Sequence, residues 1–76
     1  MVATSADFAD RVKRYLKAEL KRAGVGYKEL AERLTAMGLP ESEGSITVKI
    51  NRGAFPAWFL IAAMESIGVS SLRLSD

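Results

Sequence analysis

The fold is decided by residues 24–53, which read GVGYKELAERLTAMGLPESEGSITVKINRG. Apolar residues at spacings of three and four predict a helix over about 27–37. Gly38 and Pro40 then interrupt the pattern, because glycine favours helix termination and proline pushes its predecessor toward extended geometry. A second helix is predicted over about 43–52. The segment therefore predicts two short helices joined by a long turn.

The ends of these two helices are marked by residue types that suit them. Gly26 can serve as the N-cap of the first helix, and Ser42 is the best N-cap for the second. Ile46 and Ile50, four residues apart, are expected to face the core. Gly53 supplies the left-handed conformation that ends the second helix.

A longer amphipathic helix is predicted before this segment, over about 6–23. Ser5 is expected to cap its start, and Gly24 is suited to end it. Its apolar stripe follows helical spacing and consists of Phe8, Val12, Leu16, Leu20 and Ala23. Another face carries a mostly basic ridge that includes Lys13 and Lys17.

A fourth helix is predicted over about 56–67, with Pro56 in its first turn. It is apolar nearly all round, so it must be buried on more than one side. The expected inward stripe is Leu60, Ala63, Met64 and Ile67. A second apolar stripe is Phe55, Trp58, Phe59 and Ala62. The tail, 69–76, could cap the core, form a helical turn or add a strand to a partner.

The length predicts one small domain, residues 1–76, and the four predicted helices make it all-α. A chain of 76 residues buries only about 60% of the surface exposed by its unfolded form. Cysteine and histidine are absent, so no disulfide, structural metal or cofactor is expected. No apolar stretch is long enough to cross a membrane, and no signal peptide opens the chain. A cytoplasmic location is the resulting expectation.

The order of these elements resembles the Cro and phage-repressor type of DNA-binding domain, over about residues 9–72. The residues that carry the resemblance are Gly24, Glu29-Leu30-Ala31 with Leu34, Ile50, Arg52-Gly53, Pro56 and Ile67-Gly68-Val69. The turn is longer than in the repressor pattern, as in some small bacterial proteins of similar plan. The resemblance implies a four- to five-helix repressor-like helix-turn-helix bundle. It also implies sequence-selective binding of double-stranded DNA by a small bacterial or phage-type transcriptional regulator, with its third helix in the major groove.

The third helix offers a small set of outward side chains for DNA contact. With Ile46 and Ile50 turned inward, the outward positions are Ser45, Val48, Lys49 and Arg52. Ser45, Lys49 and Arg52 can donate hydrogen bonds to base edges or phosphates, and Val48 can contact a thymine methyl group. Further candidate phosphate contacts are Lys28, Lys13 and Lys17. The alternative for all these cations is that they are ordinary solvated charges.

The acidic turn complicates a DNA-binding role. Glu41 and Glu43 stand near the end of the third helix that normally approaches DNA, where they would repel phosphate. The net charge of +2 decides little by itself. The acidic turn and the apolar fourth helix therefore keep a second interpretation open: a protein-interaction module on the same scaffold without DNA binding.

A homodimer is expected, with Phe55, Trp58, Phe59 and Ala62 as the interface, because aromatic residues dominate interface cores. The alternative is that these side chains fill the domain's own core. Catalysis is not expected, since the sequence has neither a histidine for acid-base chemistry nor a cysteine nucleophile. Gly24-Val25-Gly26 also lacks the third glycine and preceding strand of a dinucleotide site.

Overall fold

The computed structural model describes residues 2–74 and contains four α-helices in that range, with no strand. They are α1 (Ser5–Ala23), α2 (Tyr27–Ala36), α3 (Glu43–Arg52) and α4 (Ala57–Ser66). The expected all-α class is confirmed, and each predicted helix boundary agrees with the observed one to within one residue. Residues 69–74 form no helix or strand, and residues 75–76 of the predicted tail lie outside the described range.

Local hydrogen bonds explain where the helices begin. Thr4, rather than the expected Ser5, caps α1, and its side chain is reciprocally bonded with Asp7 in a capping box. Ser42 caps α3 in the same way, paired with Ser45. Pro56 precedes the first helical residue of α4 instead of lying within the first turn.

One hydrophobic core joins all four helices. α3 packs against α2 and α1, and α4 packs against α2. The largest fully buried side chains are Leu16, Leu30, Leu34, Ile46, Ile50 and Phe59. Burying a side chain of this size stabilises the fold by about 1.5–3 kcal/mol. The core therefore fixes the position of α3 from two sides.

The orientation of α4 differs from the predicted one. Its buried residues are Phe59, Ala62, Ala63 and Met64, whereas Leu60 and Ile67 are only half-buried. The second stripe of the sequence pattern thus supplies part of the core. Since α4 is apolar nearly all round, hydrophobic periodicity could not distinguish the inward side from its neighbours.

The long turn between α2 and α3, residues 37–42, is fixed by specific contacts. The backbone N–H of Glu41 donates to Thr35 Oγ1, and that hydroxyl donates to the Glu41 carbonyl oxygen, both at 3.1 Å. Leu39 donates to the Leu34 carbonyl at 2.9 Å and packs against the core. These contacts tie the turn to α2 and to the core, directly before α3 begins.

The end of α3 comes very close to α1 at Gly53. This residue has a positive φ of 61° and closes the helix. A Cβ atom at this position would lie 2.8 Å from the carbonyl carbon of Ala9 and closer still to its oxygen. Gly53 therefore meets two demands at once, a left-handed conformation and a backbone-to-backbone contact.

Gly53→Ala should destabilise the fold more than Gly24→Ala, which serves as its matched control. Gly24 ends α1 with a φ of 71°, but a Cβ there would meet nothing within 4 Å. We expect Gly24→Ala to lower the free energy of unfolding by about 1 kcal/mol, and Gly53→Ala by at least about 2 kcal/mol. Urea unfolding measures both. Equal losses in the two variants would contradict the close approach of α3 to α1.

Candidate nucleic-acid interface

α3 presents one face to the core and the opposite face to solvent. Ile46 and Ile50 are fully buried. On the other side, four residues at helical spacing form an exposed strip that we call the outer face of α3: Gly44, Val48, Asn51 and Arg52. Val48 is 52% exposed although it is apolar. One face of α3 is therefore packed against the core, and the opposite face is open to solvent.

One flank of α3 is occupied by three polar side chains, which we call the Glu41 cluster: Glu41, Ser45 and Lys49. One carboxylate oxygen of Glu41 accepts from the Ser45 hydroxyl at 2.6 Å, and the other is paired with the Lys49 ammonium. The side chain of Glu41 is 4% exposed and that of Lys49 31% exposed. The Lys49 ammonium also lies 5.1 Å from the centre of the Phe59 ring, at a distance suited to a cation–π contact.

The electrostatics of the cluster favour a charged Glu41. Burial by itself raises the pKa of this carboxyl, but the hydrogen bonds from Lys49 and Ser45 and the positive charge of Lys49 outweigh it. The net result is a pKa below the ordinary value of 4.5. Glu41 is therefore an ionised, partnered group that lies inside the fold, not a free negative charge in the turn.

Two of the residues predicted to contact DNA are held by this cluster. The Ser45 hydroxyl accepts from the Ser42 backbone N–H at 2.9 Å, and its single proton has two acceptors within the fold, the Glu41 carboxylate at 2.6 Å and the Ser42 carbonyl oxygen at 3.0 Å. Lys49 points along the flank toward Glu41 and Phe59. Val48 and Arg52, by contrast, lie exposed on the outer face of α3.

Asn51 was not among the residues predicted from the sequence to contact DNA. It is exposed on the outer face of α3, one turn after Val48. Asparagine can make two hydrogen bonds to an adenine edge. Its position opposite Ile46 and Ile50 in the helical repeat was the signal available in the sequence.

The other predicted cations lie on α1 and α2. Lys28 lines a shallow groove of about 550 Å³ together with Glu43 at the start of α3. The Lys13 ammonium lies 3.8 Å from the Asp10 carboxylate. Burial raises the pKa of Tyr27, and the positive charge of Lys13 offsets part of that rise. Lys17 is exposed one turn further along α1. Lys28 is thus the cation that the structure brings to the start of α3.

The predicted dimer interface is divided between core and surface. Phe59 is fully buried and Ala62 nearly so, which corrects their assignment to an outward stripe. Phe55 is half-buried, with its ring centre 4.9 Å from that of Phe59. Trp58 is the most exposed of the four, at 52%, and Ile61, which was not among the residues predicted for the interface, is 63% exposed.

These features define a small all-α domain in which a braced helix, α3, follows a long ordered turn. The chain belongs to the family described as Domain of unknown function (DUF6471), whose pattern matches residues 8–72. No curated protein and no solved structure matches the chain. Within residues 2–74, no helix is both long enough and apolar enough to span a membrane.

The lowered pKa of Glu41 predicts a specific pH dependence of stability. A carboxyl with a lowered folded-state pKa stabilises the fold above its unfolded-state pKa, and the contribution is lost as pH falls through the folded-state value. Near neutral pH we expect Glu41→Gln to lower the free energy of unfolding by about 1 kcal/mol. That deficit should shrink progressively below pH 4.5. Urea unfolding of both proteins across this range measures it.

Glu43→Gln is the control for this experiment, because it removes the same charge from an exposed neighbour. Its difference from the wild type should stay within about 0.5 kcal/mol near neutral pH. A Glu41→Gln deficit that does not change below pH 4.5 would show that Glu41 gains no stability from its ionised form.

Proposed function

We propose that this domain binds double-stranded DNA sequence-selectively, as a small bacterial or phage-type transcriptional regulator with α3 in the major groove. The observation that carries the proposal is the placement of α3. Its inner face is fixed by Ile46 and Ile50, and its outer face is open. A helix of this width fits the major groove when a second helix braces it.

The side chains of the outer face of α3 suit base and phosphate contacts. Arg52 is exposed and makes no ion pair within residues 2–74, so its guanidinium is available to a guanine edge or a phosphate. Asn51 suits adenine, and Val48 suits a thymine methyl group. Lys28 lies beside the start of α3, and with Lys13 and Lys17 it can contact the DNA backbone.

The arrangement of the acidic turn favours this proposal. From the sequence, Glu41 and Glu43 were both expected where phosphate would approach. In the structure, the Glu41 carboxylate is buried and paired with Lys49. Only Glu43 remains exposed at the start of α3. The negative charge that would face DNA is therefore smaller than the sequence suggests. Lys28 and Glu43 also line the same shallow groove of the protein surface.

A homodimer is part of the proposal, because helix-turn-helix regulators place two copies of the reading helix about one DNA turn apart. The outer face of α4, which we define as Trp58, Ile61 and Glu65, is the surface that fits this role. Trp58 and Ile61 are large apolar side chains that a monomer leaves in water. A cytoplasmic location follows from access to DNA in a bacterial cell.

A protein-interaction module without DNA binding is the second candidate. The exposed Trp58 and Ile61 favour it, because exposed apolar side chains that lie together mark interaction surfaces. The net charge of +2 is also low for a nucleic-acid partner. The two candidates differ in salt dependence: DNA binding weakens steeply with salt, whereas an apolar contact does not.

Arg52→Ala should weaken binding to duplex DNA by about tenfold at fixed salt while leaving the unfolding transition unchanged. The wild type, with about four phosphate contacts, should lose affinity on the order of 100-fold between roughly 50 and 200 mM salt. Fluorescence anisotropy with a pool of random duplexes, followed by selected sequences, measures both. Arg73→Ala is the charge-matched control, since Arg73 is exposed in the tail and outside α3.

Two results would contradict this prediction. If the wild type binds no duplex at micromolar protein and low salt, DNA binding is wrong and the protein-interaction candidate gains. If Arg52→Ala and Arg73→Ala weaken binding equally, Arg52 acts only through net charge and α3 is not the reading helix.

Trp58→Glu should convert a dimer into a folded monomer. Since 52% of the Trp58 surface is exposed, the substitution should keep the helical circular dichroism spectrum while the mass in solution halves. Val48→Glu is the control, because Val48 has the same exposed fraction, 52%, but lies on α3. Light scattering without DNA measures the mass. A dimer that persists in Trp58→Glu would exclude the outer face of α4 as the interface.

A further inference from the structure

The Glu41 cluster separates the polar residues of α3 into two groups. Ser45 and Lys49 have partners inside the fold, whereas Asn51 and Arg52 are exposed. The backbone N–H and carbonyl of Glu41 are both hydrogen-bonded to the Thr35 hydroxyl, so the residue that carries the carboxylate is fixed to α2. A fixed, nearly buried anion thus lies next to a lysine that could otherwise reach a phosphate.

We propose that Glu41 is a positioning residue that withholds Lys49 and Ser45 from DNA and restricts recognition by α3 to its outer face. This role rests on the proposed DNA-binding function and adds to it a rule for which residues read the groove. The effective reading set becomes Val48, Asn51 and Arg52, with Lys49 excluded.

The physical basis is competition between two anions for one cation. A phosphate and a carboxylate both accept charge-assisted hydrogen bonds from an ammonium group. To reach a phosphate, Lys49 would leave Glu41, whose side chain is 4% exposed, without its counter-charge. It would also lose the Phe59 ring at 5.1 Å. Ser45 faces a similar limit, because its single hydroxyl proton has two acceptors within the fold, the Glu41 carboxylate at 2.6 Å and the Ser42 carbonyl oxygen at 3.0 Å.

The withholding has a measurable effect on the salt dependence of DNA binding. Each phosphate contact made by a lysine adds about 0.9 to the slope of log affinity against log salt. If Lys49 stays with Glu41, that contribution is missing from the wild type. Releasing Lys49 should restore it, whereas a purely structural role of Glu41 would leave the slope unchanged.

The test compares Glu41→Gln with Glu43→Gln, which removes the same charge from an exposed position two residues away. Both are made in the wild-type chain and in Lys49→Met, and binding to one duplex is measured by anisotropy over a salt series. We expect Glu41→Gln to bind about fivefold more tightly at low salt and to steepen the slope by about one. Glu43→Gln should give a smaller gain in affinity and no steeper slope. In the Lys49→Met background the extra effect of Glu41→Gln should disappear.

The salt slope of the single variant Lys49→Met is a second, independent measurement. It tests the role of Glu41 even if Glu41→Gln does not fold. The substitution should leave the salt slope of the otherwise wild-type chain unchanged. A slope shallower by about one would show that Lys49 already contacts phosphate and would overturn the role of Glu41. Equal effects of Glu41→Gln and Glu43→Gln, or an effect that persists in Lys49→Met, would overturn it as well.

Failure of the proposed function gives a different pattern. In that case neither the wild type nor any of the variants binds duplex at low salt. If the wild type binds and the salt slopes do not differ, only the positioning role of Glu41 is wrong.

Discussion

Glu41 is the polar residue through which the long turn is tied to α3, whose inner face is held in the core by Ile46 and Ile50. Its backbone is bonded to Thr35 on α2, and its side chain is bonded to Ser45 and Lys49 on α3. Lys49 in turn lies over the Phe59 ring of α4. Three helices are therefore connected through one turn residue. A nearly buried charge is stabilising only when its partners remain in place, so the turn, although long, has one favoured geometry.

The helix boundaries could be predicted because the signals for them are local. Ser42 and Gly53 mark the two ends of α3, and each acts through hydrogen bonds or φ angles within a few residues. The rotation of α4 could not be predicted from apolar spacing, since nearly every position of that helix is apolar. Glu65, the only charged residue within α4, was the better guide. It lies on the same side as Ile61, and both are exposed.

The candidate contacts on α3 were predicted less well than its boundaries. Val48 and Arg52 lie on the open face, as their spacing from Ile46 and Ile50 indicates. Lys49 and Ser45 are on the flank, where their partner is a residue of the preceding turn. Helical periodicity says which side of a helix a residue occupies but not which neighbouring segment covers that side. The turn that covers this flank is longer than in the repressor pattern, so the resemblance gave no guide to its contacts.

Under the proposed function, the internally paired Lys49 and the outer face of α4 both affect how tightly the protein binds DNA. A domain with a net charge of +2 and one reading-helix cation held internally makes few phosphate contacts, so one copy should bind DNA weakly. Two linked copies compensate, because the second binds at a high effective concentration once the first is in place. Such a dimer would take more of its selectivity from base contacts and half-site spacing than from charge. The exposed Trp58 and the internally paired Lys49 are then complementary features: the first supplies avidity, and the second limits non-specific attraction to DNA.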